Sequence, residues 1–238
     1  APSPPSLHAA LGAVSRPLKL DVLGRIPGTG PFSAELVSSV SAQLRPQLQD
    51  MRSQMRACYE QDMATDSRYS GLAPSQLPVR GPFAQMAVGS DDFNGDGALQ
   101  VSASFLALAY ADRWRRPIGF ATFAMRCTVE ESTKQLVVDV SLECAWLQPR
   151  KRGQGGGRVL AESVSYALDA YLEGLRKVWV RAGAPPQGVK LQVDIAGSVY
   201  SESGEEFVYA AHDAVAARFQ FPGVVGFKLN SLRASAEW

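Results

Sequence analysis

Apolar residues recur every three or four positions between residues 33 and 64, a spacing that predicts helix. The stripe consists of Leu36, Val40, Leu44, Leu48, Met51, Met55 and Cys58. Pro46 interrupts it, and proline is tolerated in the first turn of a helix but not in its interior. The pattern therefore predicts two helices, over 33–44 with Ser33 as N-cap and over 46–64. Core packing is the favoured role of the stripe, and a coiled-coil seam is the alternative.

The residues on either side of this stripe carry weaker patterns. Residues 1–17 are rich in Pro, Ser and Ala and predict a flexible leader ahead of a single domain over 18–238. Apolar and polar positions alternate over 18–23, as in a half-buried strand. Residues 65–97 show little periodicity, so we expect a long connection there.

Three apolar, β-rich runs follow, over 98–111, 117–127 and 136–147. The polar segments between them have hairpin length, which predicts an antiparallel meander. In the third run a two-residue period places Asp139, Ser141, Glu143 and Ala145 on one face. The same period places Val140, Leu142, Cys144 and Trp146 on the other.

Helical and strand patterns alternate after this meander. Apolar residues at helical spacing between Val159 and Leu175 predict a helix, with Arg176 and Lys177 in its last turn. A strand over 189–196, a helix over 205–219 and a last apolar strand then follow. The order predicts an α/β (α+β) fold with a mixed, mostly antiparallel central sheet flanked by helices.

Composition and charge exclude two classes of partner. The 238 residues carry 24 basic and 23 acidic side chains, a net charge of +1. A nearly neutral chain has no overall field to attract nucleic acid or an anionic membrane. No run approaches the ~20 apolar residues of a membrane helix, so we expect no nucleic-acid or membrane partner and a cytoplasmic location.

The cysteines do not suggest a disulfide framework or a zinc site. Cys58, Cys127 and Cys144 are widely spaced, form no C-x-x-C pair and share the chain with only two histidines. We therefore expect buried thiols and no bound metal.

The segment Arg150–Arg158 is the one dense cluster of glycines and cations. It holds four glycines and four cations between an apolar strand and an amphipathic helix. Glycine permits a sharp turn and a close approach of the backbone to a ligand, and the first turn of a helix offers unpaired N–H groups. The segment thus predicts an anion site, with phosphate or pyrophosphate as the occupant.

Two common phosphate loops fit this segment poorly. The dinucleotide fingerprint G-x-G-x-x-G requires a β-α-β unit, whereas the strand before the loop belongs to the meander, and no acidic residue follows at the usual interval. A P-loop requires a Lys-Ser or Lys-Thr after the glycines, which is absent.

The segment resembles the acyl-coenzyme A signature [RQ]-x-x-G-x-[GA] of the GCN5-related N-acetyltransferase (GNAT) superfamily. Arg152–Gly157 matches the signature, Leu147-Gln148-Pro149 resembles the end of the family's preceding strand, and Val159-Leu160 the start of its helix. The resemblance implies a GNAT-like fold in which loop amides hold a pyrophosphate and the splayed strand end pairs with the pantetheine arm. The cofactor-binding residues implied are Leu147, Arg152, Gly153, Gln154, Gly155, Gly156, Gly157 and Arg158.

Candidate catalytic residues follow from the chemistry of amine acetylation. The amine must lose a proton as it attacks the thioester, so a nearby carboxylate is useful. Glu143 occupies the part of the strand where family members often place a base, and Asp139 is the second choice; a solvent-facing acid is the alternative for both. Tyr209, or else Tyr200, is a candidate proton donor to the departing thiolate, with a structural role as the alternative.

The resemblance implies an acetyl-CoA-dependent N-acetyltransferase that acts on a primary amine, either a small molecule or a peptide, by direct attack. A homodimer is compatible with this chemistry. After the fifth strand the family's usual Asn is absent, and the spacing to any Gly-Phe is wrong. A non-catalytic acyl-CoA-binding or protein-interaction module on the same fold is therefore the alternative.

A second motif lies ahead of the meander. Asp92–Gly97 matches the opening of an EF-hand calcium loop, but the twelfth position is Ala103 where a bidentate Glu is required. The segment also runs into a predicted strand instead of a helix. An acidic turn is the favoured interpretation, and a calcium-dependent structural domain is the alternative.

Overall fold

The computed structural model describes residues 6–22, 24–28, 30–65, 81–90, 97–111, 116–183, 187–199, 201–220, 224 and 226–237. The helices in these ranges are α1 (Leu7–Gly12), α2 (Leu44–Thr65), α3 (Gly156–Arg181) and α4 (Glu202–Phe219). The strands are β1 (Leu18–Lys19), β2 (Ile26–Pro27), β3 (Phe32–Leu36), β4 (Gln85–Ser90), β5 (Leu99–Ala111), β6 (Gly119–Val129), β7 (Gln135–Leu147), β8 (Val189–Ser198) and β9 (Phe227–Glu237).

The nine strands form one mixed sheet in the order β1-β4-β5-β6-β7-β8-β9. The hairpin of β2 and β3 joins the outer side of β5 next to β4. All pairings up to β7 are antiparallel, whereas β7–β8 and β8–β9 are parallel. The predicted fold class, a mixed and mostly antiparallel sheet flanked by helices, is confirmed. The β5–β6–β7 meander is also confirmed, with bounds within two residues of those predicted.

Helices cover both faces of the sheet. α1, α3 and α4 pack on one face around the larger apolar core, where α3 contributes fully buried residues such as Val164, Leu168 and Leu172. α2 packs on the other face, over Leu106 and Leu108 of β5 and their neighbours. Since α3 leads from β7 to the parallel strand β8, these elements form a β-α-β unit. The sequence argument that the strand before the loop lies in a meander and so not in a β-α-β unit was therefore wrong, because β7 belongs to the meander and to the β-α-β unit.

The stripe of helical spacing gives one correct and one wrong prediction. α2 confirms the second helix, with Pro46 in its first turn and its apolar face packed on the sheet. The helix predicted over 33–44, with Ser33 as its N-cap, is wrong. Residues 33–36 belong to β3, residues 37–43 are not helical, and α2 begins at Leu44. Phe32, Ala34 and Leu36 are buried at a two-residue period and pair with β5, so burial on the sheet outweighs the helical spacing.

The flexible leader predicted for residues 1–17 is wrong over residues 7–12. These residues form α1, capped by the Ser6 hydroxyl, which accepts a hydrogen bond from the amide of Ala9. Leu7, Ala10 and Leu11 are buried in the main core. The sequence did not reveal this apolar face, because a helix of less than two turns is too short to show a repeated apolar spacing.

The long connection predicted over 65–97 is interrupted by β4, which pairs with β1 and β5. Residues 66–80 and 91–96 lie outside the described residues.

Candidate functional site

A cleft opens in the sheet where β7 and β8 separate. Their pairing ends at Leu142 and Gly197. Beyond this point β7 stays paired with β6 as far as Leu147. β8 stays with β9, since the amide of Val199 donates to the carbonyl of Glu237 at 2.7 Å. The sheet therefore splits into two halves, and residues 143–147 of β7 form one wall of the cleft.

The backbone of this wall presents polar groups to the cleft. The amide of Gln148 donates to the carbonyl of Ile118 at 2.9 Å, on the β6 side. Because residues of an antiparallel strand alternate in the neighbour to which they hydrogen-bond, Trp146 also faces β6, and Ala145 and Leu147 face the cleft. Ala145 is exposed, whereas its partner Ala121 on β6 is fully buried. Among the described residues no strand pairs with the cleft side of β7 over 143–147, so the wall is an open strand edge.

A β-bulge at Glu143 lies at the apex of this cleft. Phe123 of β6 pairs with Leu142, but Thr122 pairs with Cys144, so Glu143 is the extra residue. An extra residue shifts every later side chain to the other face of the sheet. The predicted grouping of Val140, Leu142, Cys144 and Trp146 on one face is therefore wrong.

The effect of the bulge is visible in the packing. Val140 and Leu142 pack under α3 and α4, whereas Cys144 and Trp146 pack under α2. Glu143 thus lies where the strand changes faces.

The glycine-rich loop closes the end of the cleft, between Leu147 and α3. Gly153 (φ 70°) and Gly155 (φ 96°) adopt left-handed conformations that favour glycine. Gly155 is the N-cap of α3 and provides no side-chain cap, so the first amides of the helix stay available to a ligand. A Cβ on Gly156 would lie 3.3 Å from Cδ2 of Leu147, so glycine also lets the helix approach the strand closely.

The polar side chains of the loop are placed unequally. Nε of Arg152 donates to the backbone carbonyl of Leu147 at 3.2 Å. The side-chain Nε2 of Gln154 donates to the backbone carbonyl of Arg150 at 2.9 Å. Both side chains brace the loop. Arg158 is 71 % exposed and pairs with Glu162 at 3.5 Å in the first turns of α3. Of the predicted loop cations, Arg158 is thus accessible at the helix start and Arg152 is engaged with the strand.

Phe32 supports this loop from below, a role that the sequence did not predict. A Cβ on Gly155 or Gly156 would lie 4.0 or 3.9 Å from its ring. The amide of Gly28 donates to the carbonyl of Phe32 at 3.1 Å and holds the β2–β3 hairpin against the start of α3. The two-residue alternation over Phe32–Leu36 was the available signal, and the overlapping helical stripe concealed it.

The carboxyl group of Glu143 has a raised pKa. Desolvation is the main cause, and Arg126 opposes it. Arg126 also lowers the pKa of Asp139, which is its partner on the neighbouring strand. A raised pKa brings a carboxylate closer to the range in which it accepts a proton effectively.

Asp139, the second candidate base, lies away from the cleft. It is opposite Asp194 in the part of the sheet where β7 and β8 are still paired. Its pKa is raised by desolvation first and by the charge of Asp194 second. Four residues of strand, roughly 13 Å, separate it from Glu143, so the structure favours Glu143.

The candidate proton donor Tyr209 lies on α4 with 47 % of its surface exposed. Its neighbour Val208 packs over the last residues of the β7–β8 pairing, because a Cβ on Gly197 would lie 3.1 Å from Cγ2 of Val208 and 3.3 Å from Cβ of Leu142. No described contact joins Tyr209 to Glu143 or to the loop. Tyr200 lies outside the described residues.

The described cysteines are free, and none forms a disulfide. Burial raises the pKa of the Cys127 and Cys144 thiols to about 12 in each case. Cys127 is buried, while Cys58 and Cys144 are partly so. The Cys127 and Cys144 thiols are therefore protonated and unreactive near neutral pH.

The calcium-like segment falls almost wholly outside the described residues, since only Gly97 of Asp92–Gly97 is included. Gly97 has a φ of 90°, and its carbonyl contacts the imidazole of His8. Among the described residues, no group of three or more His, Cys, Asp or Glu side chains is placed to hold a metal ion.

Comparison with known proteins found no matching family model, no curated relative and no matching solved structure. Within the described residues, no helix is long and apolar enough to cross a membrane.

Proposed function

We propose that the chain is an acetyl-CoA-dependent N-acetyltransferase that binds the coenzyme in the cleft between β7 and β8 and transfers its acetyl group to a primary amine. The observation that supports this most directly is the open edge of β7 over 143–147, which ends at an uncapped helix beside a glycine-rich loop. This arrangement agrees with the GNAT resemblance of Arg152–Gly157, which specifies both a splayed strand and an anion-binding loop.

The residues present suit the two polar parts of a coenzyme A molecule. The backbone N–H and C=O groups of Ala145 and the N–H group of Leu147 face the cleft. They can form hydrogen bonds with the amides of a pantetheine arm. The carbonyl of Leu147 already accepts a hydrogen bond from Arg152. The N-terminal amides of α3, with Arg158 exposed beside them, suit the pyrophosphate.

Glu143 is the proposed general base. The bound coenzyme supplies an acetyl thioester, which reacts with an amine to give an amide and a thiol. Glu143 takes the proton that the amine loses as the C–N bond forms and the C–S bond breaks. The same proton then passes to the departing sulfur, which leaves as the thiol and restores the carboxylate. Glu143 lies at the apex of the cleft, where the pairing of β7 with β8 has ended.

Calorimetry with a matched pair of variants tests the loop. Gly157→Ala keeps the amide of residue 157, and the added Cβ lies at an ordinary contact distance, 3.7 Å from Leu147. Gly157→Pro removes that amide in the first helical turn, where proline is tolerated. We expect acetyl-CoA to bind wild type and Gly157→Ala alike and to bind Gly157→Pro about tenfold more weakly.

Transfer to a panel of amines separates catalysis from binding alone. The proposal predicts coenzyme release that depends on the amine and falls in Glu143→Gln at unchanged acetyl-CoA affinity. Binding without transfer to any amine would instead support the non-catalytic alternative. No binding at millimolar acetyl-CoA would contradict both.

A further inference from the structure

A second cavity lies on the opposite side of the sheet from the glycine-rich loop, at the start of α2. Its volume is about 390 Å³, within the range of small-molecule sites. Its lining comes from three places in the chain: the segment before β2, the stretch from β3 into α2, and the end of β5. Because β5 and β6 lie between β3 and β7, the cavity is roughly 14 Å from the proposed coenzyme cleft.

Polar groups dominate this cavity, and among the described residues that line it Glu35 is the one with a charged side chain. Glu35 points away from the main core, since Ala34 and Leu36 on either side of it are buried there. The remaining polar lining is neutral and consists of Ser38, Ser39, Ser41, Gln43, Gln47 and Tyr110. Val37 and Leu44, which pack on the same face of the sheet as α2, supply an apolar floor.

Glu35 and Tyr110 lie diagonally opposite each other on neighbouring strands in the cavity wall, because Ser33 is the partner of Tyr110. Burial and the charge of Glu35 raise the pKa of Tyr110, so its phenol stays protonated. A carboxylate has about four acceptor positions, so Glu35 has capacity for the donors of a ligand.

We infer that this cavity binds a small organic cation with several N–H donors, an alkylguanidinium or alkylammonium, through the Glu35 carboxylate. The single negative charge selects a cation, and the serine and glutamine side chains can accept its remaining hydrogen bonds. The apolar floor suits a short alkyl chain. Arg25, which precedes β2, is not among the lining residues. The inference does not depend on the acetyltransferase proposal.

Butylguanidinium and its neutral analogue butylurea are the probes for this site. Calorimetry should show saturable binding of butylguanidinium and at least tenfold weaker binding of butylurea. Glu35→Gln should weaken butylguanidinium binding by about tenfold or more. In nitrogen-15 spectra, the amides of Gly24, Ser38 and Ser39 should shift on titration.

A gain-of-affinity variant keeps the inference testable if Glu35→Gln does not fold. Gln47→Glu adds a second carboxylate to the lining and should tighten butylguanidinium binding several-fold, whereas Gln49→Glu, on the exposed side of α2, should not. Four results would each overturn the inference: equal binding of the two probes, an affinity that neither Glu35→Gln nor Gln47→Glu changes, amide shifts confined to other regions, or no saturable binding at 20 mM. The last limit corresponds to a binding free energy of about 2 kcal/mol.

Discussion

At the scale of single residues, one carboxyl group, that of Glu143, and one buried phenol, that of Tyr171, carry most of the testable chemistry. Glu143 is held at a bulge with a raised pKa, while Tyr171 is fully buried and hydrogen-bonded. The family resemblance singled out Glu143, but the sequence did not reveal the bulge, because an extra residue in a strand leaves no mark in the two-residue pattern. The sequence therefore identifies the candidate base but not the direction in which its side chain points.

Glu143→Gln should lower the rate of acetyl transfer without lowering stability at neutral pH. A raised folded-state pKa means that the folded chain binds this proton more tightly than the unfolded chain. The charged form therefore opposes folding, and this cost appears as pH rises above the ordinary value of 4.5. Melting temperatures at pH 4 and pH 7 check this: the advantage of the variant should be larger at pH 7. A variant that melts lower than wild type at pH 7 would contradict the assigned environment.

Tyr171→Phe should destabilise the fold by about 1–2 kcal/mol. The Tyr171 hydroxyl donates to the carbonyl of Val101 at 2.8 Å and contacts the sulfur of Cys127 at 3.2 Å, and its removal leaves these groups without that partner. Tyr209→Phe is the matched control, since Tyr209 is largely exposed. Denaturant unfolding measures both, and equal stabilities of the two variants would show that the buried hydroxyl contributes nothing.

At the scale of elements, close approaches of the backbone decide which glycines are required. A Cβ on Gly119 would lie 2.4 Å from the carbonyl oxygen of Trp146, at the first pair of β6 with β7. A Cβ on Gly174 of α3 would lie 2.5 Å from Cδ2 of Leu20, which is the end of a side chain and can move. The sequence shows both glycines but cannot tell them apart, because the difference arises from tertiary contacts.

Gly119→Ala should therefore cost about 2–3 kcal/mol, because two strands must separate or shift. Gly174→Ala should cost less than about 1 kcal/mol, since alanine is the better helix former and offsets part of the crowding. Chemical unfolding of the two variants side by side measures the difference. A larger loss for Gly174→Ala would contradict the geometry of the cleft wall at Trp146.

At the scale of the whole molecule, the long periodic elements were predictable and the short ones were not. α2, α3, α4 and the meander follow from repeated apolar spacing, and the glycine loop from its composition. α1, β3 and β4 were missed because each is short and is stabilised by the sheet rather than by its own pattern. The cleft between β7 and β8 depends on where two strands stop pairing, which no local pattern records.

Leu11→Ala tests whether α1 belongs to the folded body. Leu11 is fully buried in the main core, so its truncation should destabilise the protein by about 2–4 kcal/mol. Ala13→Ser, at an exposed position just after the helix, is the control. Thermal unfolding provides the comparison, and indistinguishable curves for both variants would mean that residues 7–12 are not part of the cooperative fold.

The central claim is that coenzyme A lies in the cleft between β7 and β8, and a crystal structure of the protein with bound acetyl-CoA tests it most directly. We predict that the pantetheine arm runs along Ala145 and Leu147, with the pyrophosphate against the amides of Gly155–Gly157. The acetyl group should then lie near Glu143. A coenzyme bound elsewhere, with the edge of β7 left open, would contradict the account.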